Sequence, residues 1–199
     1  MVDGRRARGQ ASRDAMLAAA VSIVARGGMA ELTHRAVASA AQVSPALVAY
    51  HFTTAAELRR ATLLYAGSRL TAVLTGLLAA APEPEAVPRV AADLAVAMVT
   101  SMRDEAVTIC ELVAAAARDP ELRPAMTALI GSVQELIAPR AATTDSDGRA
   151  LAGISSGAFL GTVLSAMALG QDADLNALRH QIVHLVRRFD PRQDGPIGE

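Results

Sequence analysis

Apolar side chains recur at spacings of three and four residues along almost the whole chain, and the strict alternation typical of strands is nearly absent. This pattern predicts an all-α protein of about nine helices. Leu17, Val21 and Val24 mark the first helix, for which Ser12 is the expected N-cap and Gly27 the expected end.

Two short helices are predicted next, and each begins with a residue that can cap it. Thr33 can accept a hydrogen bond from an unpaired first-turn amide of a helix that runs through Ala41. Ser44 can do the same for a helix within the stretch SPALVAYHF. Pro45 then falls on the first helical position, where a missing N–H costs nothing and the fixed φ already suits the helix.

The fourth predicted helix is long. Thr54 and Glu57 have the spacing of a capping box, which predicts a helix from Ala55 to about Ala80. The proline-rich stretch APEPEAVP then indicates a loop. The apolar pattern predicts the remaining helices around residues 90–101, 109–116, 120–137 (with Pro124 delaying or kinking its start), 149–170 and 175–189, with a linker PRAATTDSDG before the last two.

The last two predicted helices carry patterns suited to packing on other helices. Residues 150–170 contain no charge, and Gly153, Gly157 and Gly161 recur at four-residue spacing, which lets a neighbouring helix approach closely. In the last helix the apolar residues alternate at spacings of three and four, as in the seam of a coiled coil. These residues are Leu175, Leu178, Ile182, Leu185 and Phe189.

The charge is distributed unevenly along the chain. Residues 1–65 hold eight Arg and four carboxylates, although the formal net charge of the whole chain is -1. A basic N-terminal third on an acidic body is typical of a polyanion-binding module joined to another domain. The single Cys110 excludes an internal disulfide, and the first residues lack the apolar core of a secretory signal, so we expect a cytoplasmic protein.

Two short helices separated by the turn AQV, after a longer helix and a basic arm, form a helix-turn-helix unit. Residues 18–58, AAAVSIVARGGMAELTHRAVASAAQVSPALVAYHFTTAAEL, resemble the N-terminal domain of TetR-type transcriptional regulators. The likeness includes the Gly turn, the Thr-capped second helix, the V-S opening of the third helix and the aromatic close ending in Phe52. It implies a helix-turn-helix DNA-binding domain over residues 1–54 and a helical effector-binding and dimerisation domain over residues 55–199.

The resemblance implies how this unit would meet DNA. Phe52 would belong to the core, whereas Tyr50 and His51 would hold the phosphate backbone. The front of the third helix should read bases, with Arg35 forking onto guanine and Ala46 and Leu47 meeting thymine methyls. Thr33 and His34 are placed for phosphate at a helix N-terminus. The complete predicted interface is Thr33, His34, Arg35, Ser44, Pro45, Ala46, Leu47, Tyr50 and His51, with Arg5, Arg6 and Arg8 of a flexible arm able to enter the minor groove.

One position of the turn departs from the family pattern. Gln42 stands where a Gly is usual, so this residue must either adopt a positive φ or shift the turn. A Lys that many members place shortly after the third helix is Ala55 here, which removes one phosphate contact.

For the body, the resemblance implies a homodimer through the last two helices and a pocket for a small-molecule effector. A two-fold pair of recognition helices would read half-sites about one helical turn, or ~34 Å, apart. Few aromatic residues in the body indicate an aliphatic or small pocket, in which a buried Glu111 would favour a cationic ligand. The candidate walls are Met98, Met102, Ile109, Leu112, Met126, Leu129, Phe159 and Met167.

The expected function is a ligand-responsive repressor that binds double-stranded operator DNA, without a cofactor, a metal or an enzymatic activity. Two other functions are left open. The uncharged segment 150–170 is long enough to span a membrane, and GISSG at residues 153–157 matches the G-x-S-x-G of serine hydrolases, which requires a strand-to-helix turn. Cys110, Glu111 and His180 are metal-ligand types without the clustered spacing of a metal site.

Overall fold

The computed structural model describes residues 2–137, 146–170 and 173–188, and within these ranges all regular elements are helices. The all-α prediction is confirmed. The nine α-helices of the described residues are α1 (Val2–Gly27), α2 (His34–Ala40), α3 (Pro45–His51), α4 (Ala55–Ala80), α5 (Val87–Val99), α6 (Arg103–Ala116), α7 (Arg123–Ile137), α8 (Ser146–Leu169) and α9 (Leu175–Arg188).

Most helix boundaries agree with the sequence pattern, and the exceptions lie at helix starts. Helix α1 begins at Val2 and not after Ser12, so the predicted flexible arm is a continuous extension of α1. No Pro interrupts the arm, and its Arg, Ala and Gln residues are good helix formers, which accounts for this extension. The side chains of Arg5, Arg6 and Arg8, residues 139–145 of the predicted linker and Phe189 lie outside the described residues.

Two proline-containing segments start as short 3-10 helices before the α-helix proper. Part of the predicted loop APEPEAVP forms the 3-10 helix Pro84–Ala86, and Pro88 lies in the first turn of α5, where its missing N–H breaks no bond. Asp119 caps the 3-10 helix Pro120–Leu122 by accepting from the Glu121 amide, and α7 follows, with the delayed start that Pro124 predicts.

The chain divides into two compact units. The first contains Met1–Leu70 and Asp104–Gly131, and the second contains Thr71–Arg103 and Ser132–Glu199. Helix α6 and most of α7 therefore belong with the helix-turn-helix. The predicted boundary at residues 54/55 separates a DNA-binding from an effector-binding domain, which the two compact units do not test, so this boundary stays a prediction.

The core of the first unit joins α1, α2, α3 and the start of α4. Met16, Val37, Val48, Phe52 and Leu58 are fully buried in one cluster. Burying a side chain of this size contributes about 1.5–3 kcal/mol, so a short helix such as α3 is held by its packing more than by its propensity.

Helix α6 is attached to α1 by polar contacts within the first unit. The buried Thr108 hydroxyl donates to the Val21 carbonyl oxygen at 3.0 Å, and the Ser22 hydroxyl donates to the Asp104 carboxylate at 2.9 Å. The Arg59 guanidinium pairs with Asp119 at 3.3 Å, which joins α4 to the segment before α7. Helix α6 thus contacts the first helix of the DNA-binding unit directly.

In the second unit, α9 packs chiefly on α5 and also on α8. Leu178 and Ile182 of the predicted seam are buried there, and Arg179 pairs with Asp93 of α5. The Arg103 guanidinium donates to the Met167 carbonyl oxygen at 3.3 Å. Two residues of the α9 seam therefore pack inside the chain, whereas Leu175 and Leu185 are half-buried.

By length and composition alone, α4 qualifies as a membrane-spanning helix, with a mean hydropathy of 1.4 over its most apolar window. However, its Leu58, Leu63, Leu74 and Leu78 are buried among other helices, as expected for a core helix. The segment proposed as a span from sequence lies in α8, where Val163, Ala166 and Met167 are buried against the rest of the chain, as in a core helix. The fold gives no support to the membrane alternative.

Candidate nucleic-acid interface

Helix α2 begins as predicted. Thr33 has extended backbone angles, and its hydroxyl oxygen accepts a hydrogen bond from the Ala36 amide at 3.1 Å. The Thr33 and Arg35 side chains are exposed, and Arg35 forms no ion pair with any described residue. Both remain available to a partner.

In the turn between α2 and α3, Gln42 takes the first of the two outcomes that the sequence allows, a positive φ. Gln42 has a φ of +56°, in the left-handed region, while the Val43 amide donates to the Ala38 carbonyl oxygen at 3.0 Å. A residue other than Gly costs about 1 kcal/mol in this conformation. The turn hydrogen bond therefore holds the family geometry in spite of the missing Gly.

The start of α3 forms an exposed polar edge. The Ser44 hydroxyl accepts from the Leu47 amide at 3.2 Å, and Pro45 occupies the first turn, both as predicted. Ser44, Pro45 and Ala46 are exposed. Leu47 is half-buried against the core cluster, and its contact with a thymine methyl stays a prediction. Ala49, which sequence reasoning left out, is exposed one turn after Ala46 and lies on the same face.

The end of α3 is fixed by Phe52, which is fully buried as predicted. The Arg13 guanidinium lies 5.0 Å from the centre of the Phe52 ring, within cation–π range. The His34 Nε2 lies 2.6 Å from the Phe52 carbonyl oxygen and must donate to it, since a carbonyl can only accept. This bond occupies Nε2 and fixes the orientation of the imidazole ring, and the phosphate contact of His34 stays a prediction. Its interior role is structural, which the sequence did not indicate because the two residues are 18 positions apart.

Tyr50 and His51 are placed differently from Phe52. Tyr50 is 79% exposed, and its ring meets the half-buried His51 ring edge-on with 5.3 Å between the centroids. The Tyr50 hydroxyl therefore extends away from the core, on the residue that precedes the anchored end of α3. Phe52 thus anchors the end of α3 in the core, while the Tyr50 ring faces outward, as the sequence predicts.

The N-terminus of α4 is already occupied by a carboxylate of the chain. The Glu57 carboxylate accepts from the Thr53 amide and the Thr53 hydroxyl, both at 2.8 Å, while the Glu57 amide donates to Thr54. The hydrogen bonds from Thr53 hold the pKa of Glu57 below its usual value. The predicted capping box thus forms with Thr53 in the reciprocal position, and this helix end is not free for a phosphate.

The predicted effector residues are divided between the units. Met98, Met102 and Met167 are buried and Phe159 is half-buried in the second unit. In the first unit, Ile109 and Leu112 are buried, and Met126 and Leu129 are half-buried. Leu129 packs against α4 so closely that a methyl group added at Gly67 would lie 2.6 Å from its Cδ1 atom.

The remaining sequence hypotheses are resolved by position. Glu111 is exposed, so the condition under which it would favour a cationic ligand in a buried pocket is not met. The GISSG stretch lies inside α8, without the strand-to-helix turn that exposes a nucleophilic serine. No group of three or more metal-ligand side chains occurs among the described residues. Cys110, Glu111 and His180 therefore do not form such a group.

Comparison with known proteins agrees with this geometry. Residues 16–62 match the family model of bacterial regulatory proteins of the tetR family, and residues 82–189 match the tetracyclin repressor-like C-terminal domain. No curated protein sequence matches the chain.

Several solved structures resemble the fold. The regulator SCO7518 from Streptomyces coelicolor A3(2) has a TM-score of 0.73 at 23% identity, with 90% of this chain and 98% of that chain covered. The TetR family member SCO1917 from Streptomyces coelicolor A3 has a TM-score of 0.71 at 28% identity, with 87% and 97% covered. The multidrug binding protein EbrR complexed with ethidium has a TM-score of 0.63 at 28% identity, again with 87% and 97% covered.

Both family models match this chain, in the same order as the two predicted domains. Its helix-turn-helix also has the capped helices, the turn and the anchored recognition helix that DNA binding requires. This chain therefore belongs to the TetR family and is a DNA-binding transcriptional regulator.

Proposed function

We propose that the protein is a homodimeric repressor that binds a two-fold operator through α2 and α3 and leaves it when a small molecule binds the body. The observation that carries the DNA part is the exposed front of α3, held from behind by buried Phe52 and by the bond from His34 to the Phe52 carbonyl. A rigid, outward helix edge is what a major groove accepts.

Within this edge, the exposed side chains divide by chemistry. Arg35 offers two parallel N–H donors to guanine, while Ser44 and the small apolar Pro45 and Ala46 face bases closely. Thr33 and Tyr50 offer hydroxyl donors to phosphate, which position the protein without reading sequence.

Replacing Arg35 by Ala should weaken operator binding about 5- to 150-fold, because a bidentate contact to a base contributes about 1–3 kcal/mol of discrimination. The measurement is a gel shift at fixed salt on an operator selected by the wild-type protein from random DNA. Arg118→Ala, which removes an equal charge from an exposed site of the first unit, is the matched control and should bind normally. Equal wild-type affinity for operator and random DNA would contradict sequence-specific binding.

The dimer proposal rests on the free face of α8. Ile154, Leu164 and Leu169 are 57%, 41% and 64% exposed, which is unusual for large apolar residues on one helix. A Cβ atom added at Gly153, Gly157 or Gly161 would meet nothing within 4 Å. No packing among residues 2–137, 146–170 and 173–188 requires these glycines, and we infer that they let a second copy approach α8.

The effector proposal follows the relatives. EbrR is described as a multidrug binding protein and has been solved with ethidium and with proflavin. Ethidium is the first ligand to test here. Ligand and operator would oppose each other through one coupling free energy.

Ethidium at 100 times its dissociation constant should raise the melting temperature by about 5 to 10 °C, since binding to the native state contributes about 2.7 kcal/mol. The melt is followed by circular dichroism, because the chain has no Trp for a fluorescence signal. DNA is left out, because ethidium itself binds DNA. The absence of stabilisation by ethidium, proflavin and a panel of aliphatic compounds would contradict the effector part and leave the DNA part intact.

A further inference from the structure

Two of the four histidines of the chain lie one helical turn apart on α9. His180 and His184 are both exposed, whereas Leu178 and Ile182 of the same helix are buried. Both histidines line an open groove of about 1390 Å³ between α8 and α9, together with Thr162, Ser165 and Leu169 of α8. None of the predicted effector-pocket residues lines this groove.

Imidazoles four residues apart on one helix face can hold one metal ion between them. Neutral imidazole nitrogens favour Zn²⁺, Ni²⁺ and Cu²⁺, whereas Ca²⁺ and Mg²⁺ require oxygen ligands. The only carboxylate that lines the described groove is Asp174, whose Oδ1 already accepts from the Asn176 and Ala177 amides as the cap of α9. The groove chemistry therefore selects an imidazole-binding metal.

The positive side chains of the groove are Arg187 and Arg188, three and four residues beyond His184. Both are exposed at the end of α9, so their guanidinium groups can extend into water and away from the imidazoles. Gln181, also exposed in the groove, adds a neutral amide beside His180. The arginines weaken the attraction of a cation but offer no competing ligand.

One protomer cannot complete this site. Zn²⁺ usually takes four ligands, and no third metal-ligand side chain clusters with the two histidines in the described residues. Where the groove lies on the two-fold axis of the proposed dimer, the same patch of both copies meets, and the second copy supplies two further imidazoles. We propose that His180 and His184 of both protomers hold one divalent transition-metal ion of the Zn²⁺ class and that this ion tightens the dimer. This inference rests on the proposed dimer through α8 and α9.

The first test measures binding of Zn²⁺ to the untagged, EDTA-treated full-length protein in competition with a chromophoric zinc indicator. We expect one ion per two chains. The double variant His180→Ala/His184→Ala should bind at least about tenfold more weakly, while Gln181→Ala, in the same groove, should bind as the wild type does. Equal binding by the double variant, or one ion per chain, would overturn the proposal.

The second test measures the dimer dissociation constant by sedimentation in EDTA and in Zn²⁺. We expect Zn²⁺ to lower this constant at least about tenfold in the wild type and to leave the double variant unchanged. A dimer that forms in EDTA and is indifferent to Zn²⁺ would overturn the metal site alone. A monomer under both conditions would overturn the metal site and the proposed dimer together.

Discussion

Replacing Phe52 by Ala is expected to lower the free energy of unfolding by about 3–5 kcal/mol and to remove operator binding. The Phe52 ring is fully buried in the cluster that joins α1, α2, α3 and α4, and it lies beneath the Arg13 guanidinium. Its loss leaves a cavity at the end of α3, a helix of only seven residues that cannot persist without packing. Urea unfolding followed by circular dichroism measures the first effect, and a gel shift measures the second.

Tyr50→Ala is the matched control for this variant. Tyr50 is a similar aromatic residue two positions earlier, but it is 79% exposed, so its removal should change the free energy of unfolding by no more than about 0.5 kcal/mol. The substitution should still weaken DNA binding, because it removes the outward hydroxyl that we propose donates to phosphate. Similar losses of stability in both variants would contradict the division between an anchor and an outward group.

The sequence was most informative where the chemistry is local. Thr33 and Ser44 cap their helices, and Pro45 occupies a first turn, because each of these preferences depends on a few neighbouring backbone atoms. The positive φ of Gln42 was also one of two outcomes that the turn sequence allowed. Local rules and the family pattern together predicted the helix-turn-helix.

The sequence was least informative where distant residues meet. The hydrogen bond from His34 Nε2 to the carbonyl oxygen of Phe52 joins residues 18 positions apart, which no pattern around either residue indicates. Leu47 partly packs on the core, although the sequence placed it on the front of α3. The DNA contacts of both residues stay predictions. On a short amphipathic helix a shift of a few tens of degrees moves such a residue between the groove and the core.

The body shows the same limit in another form. The family resemblance implies that the last two helices hold the dimer together, yet Leu178 and Ile182 of the α9 seam pack on helices of the same chain. An apolar stripe requires a partner helix but does not say whether that helix belongs to the same copy. Buried Met98 and Met102 likewise have the composition of a pocket wall and of an ordinary core. Their assignment to an effector pocket stays a prediction.

Replacing Gly157 by Leu is expected to abolish the dimer and to weaken operator binding by about 100-fold or more, since each protomer would then hold its half-site without the other. Gly157 lies exposed on α8, where an added Cβ meets nothing within 4 Å in the single chain. A Leu side chain there therefore has room in the monomer, and it raises helix propensity by about 0.8 kcal/mol. Since the described residues leave this room, we expect a loss of dimer to arise from contact with a second copy. Sedimentation measures the dimer, and a gel shift measures the operator affinity.

The matched control is Gly76→Leu on α4. Gly76 is also an exposed helical glycine, and beyond its own helix backbone no described atom lies within 4 Å of an added Cβ. The two variants therefore differ in which helix carries the new side chain. Gly76→Leu should remain dimeric and bind the operator as the wild type does. A Gly157→Leu protein that stays dimeric would show that α8 does not approach its partner closely at this glycine. Because the monomer fold should survive the substitution, a normal helical melt separates loss of the dimer from loss of the fold.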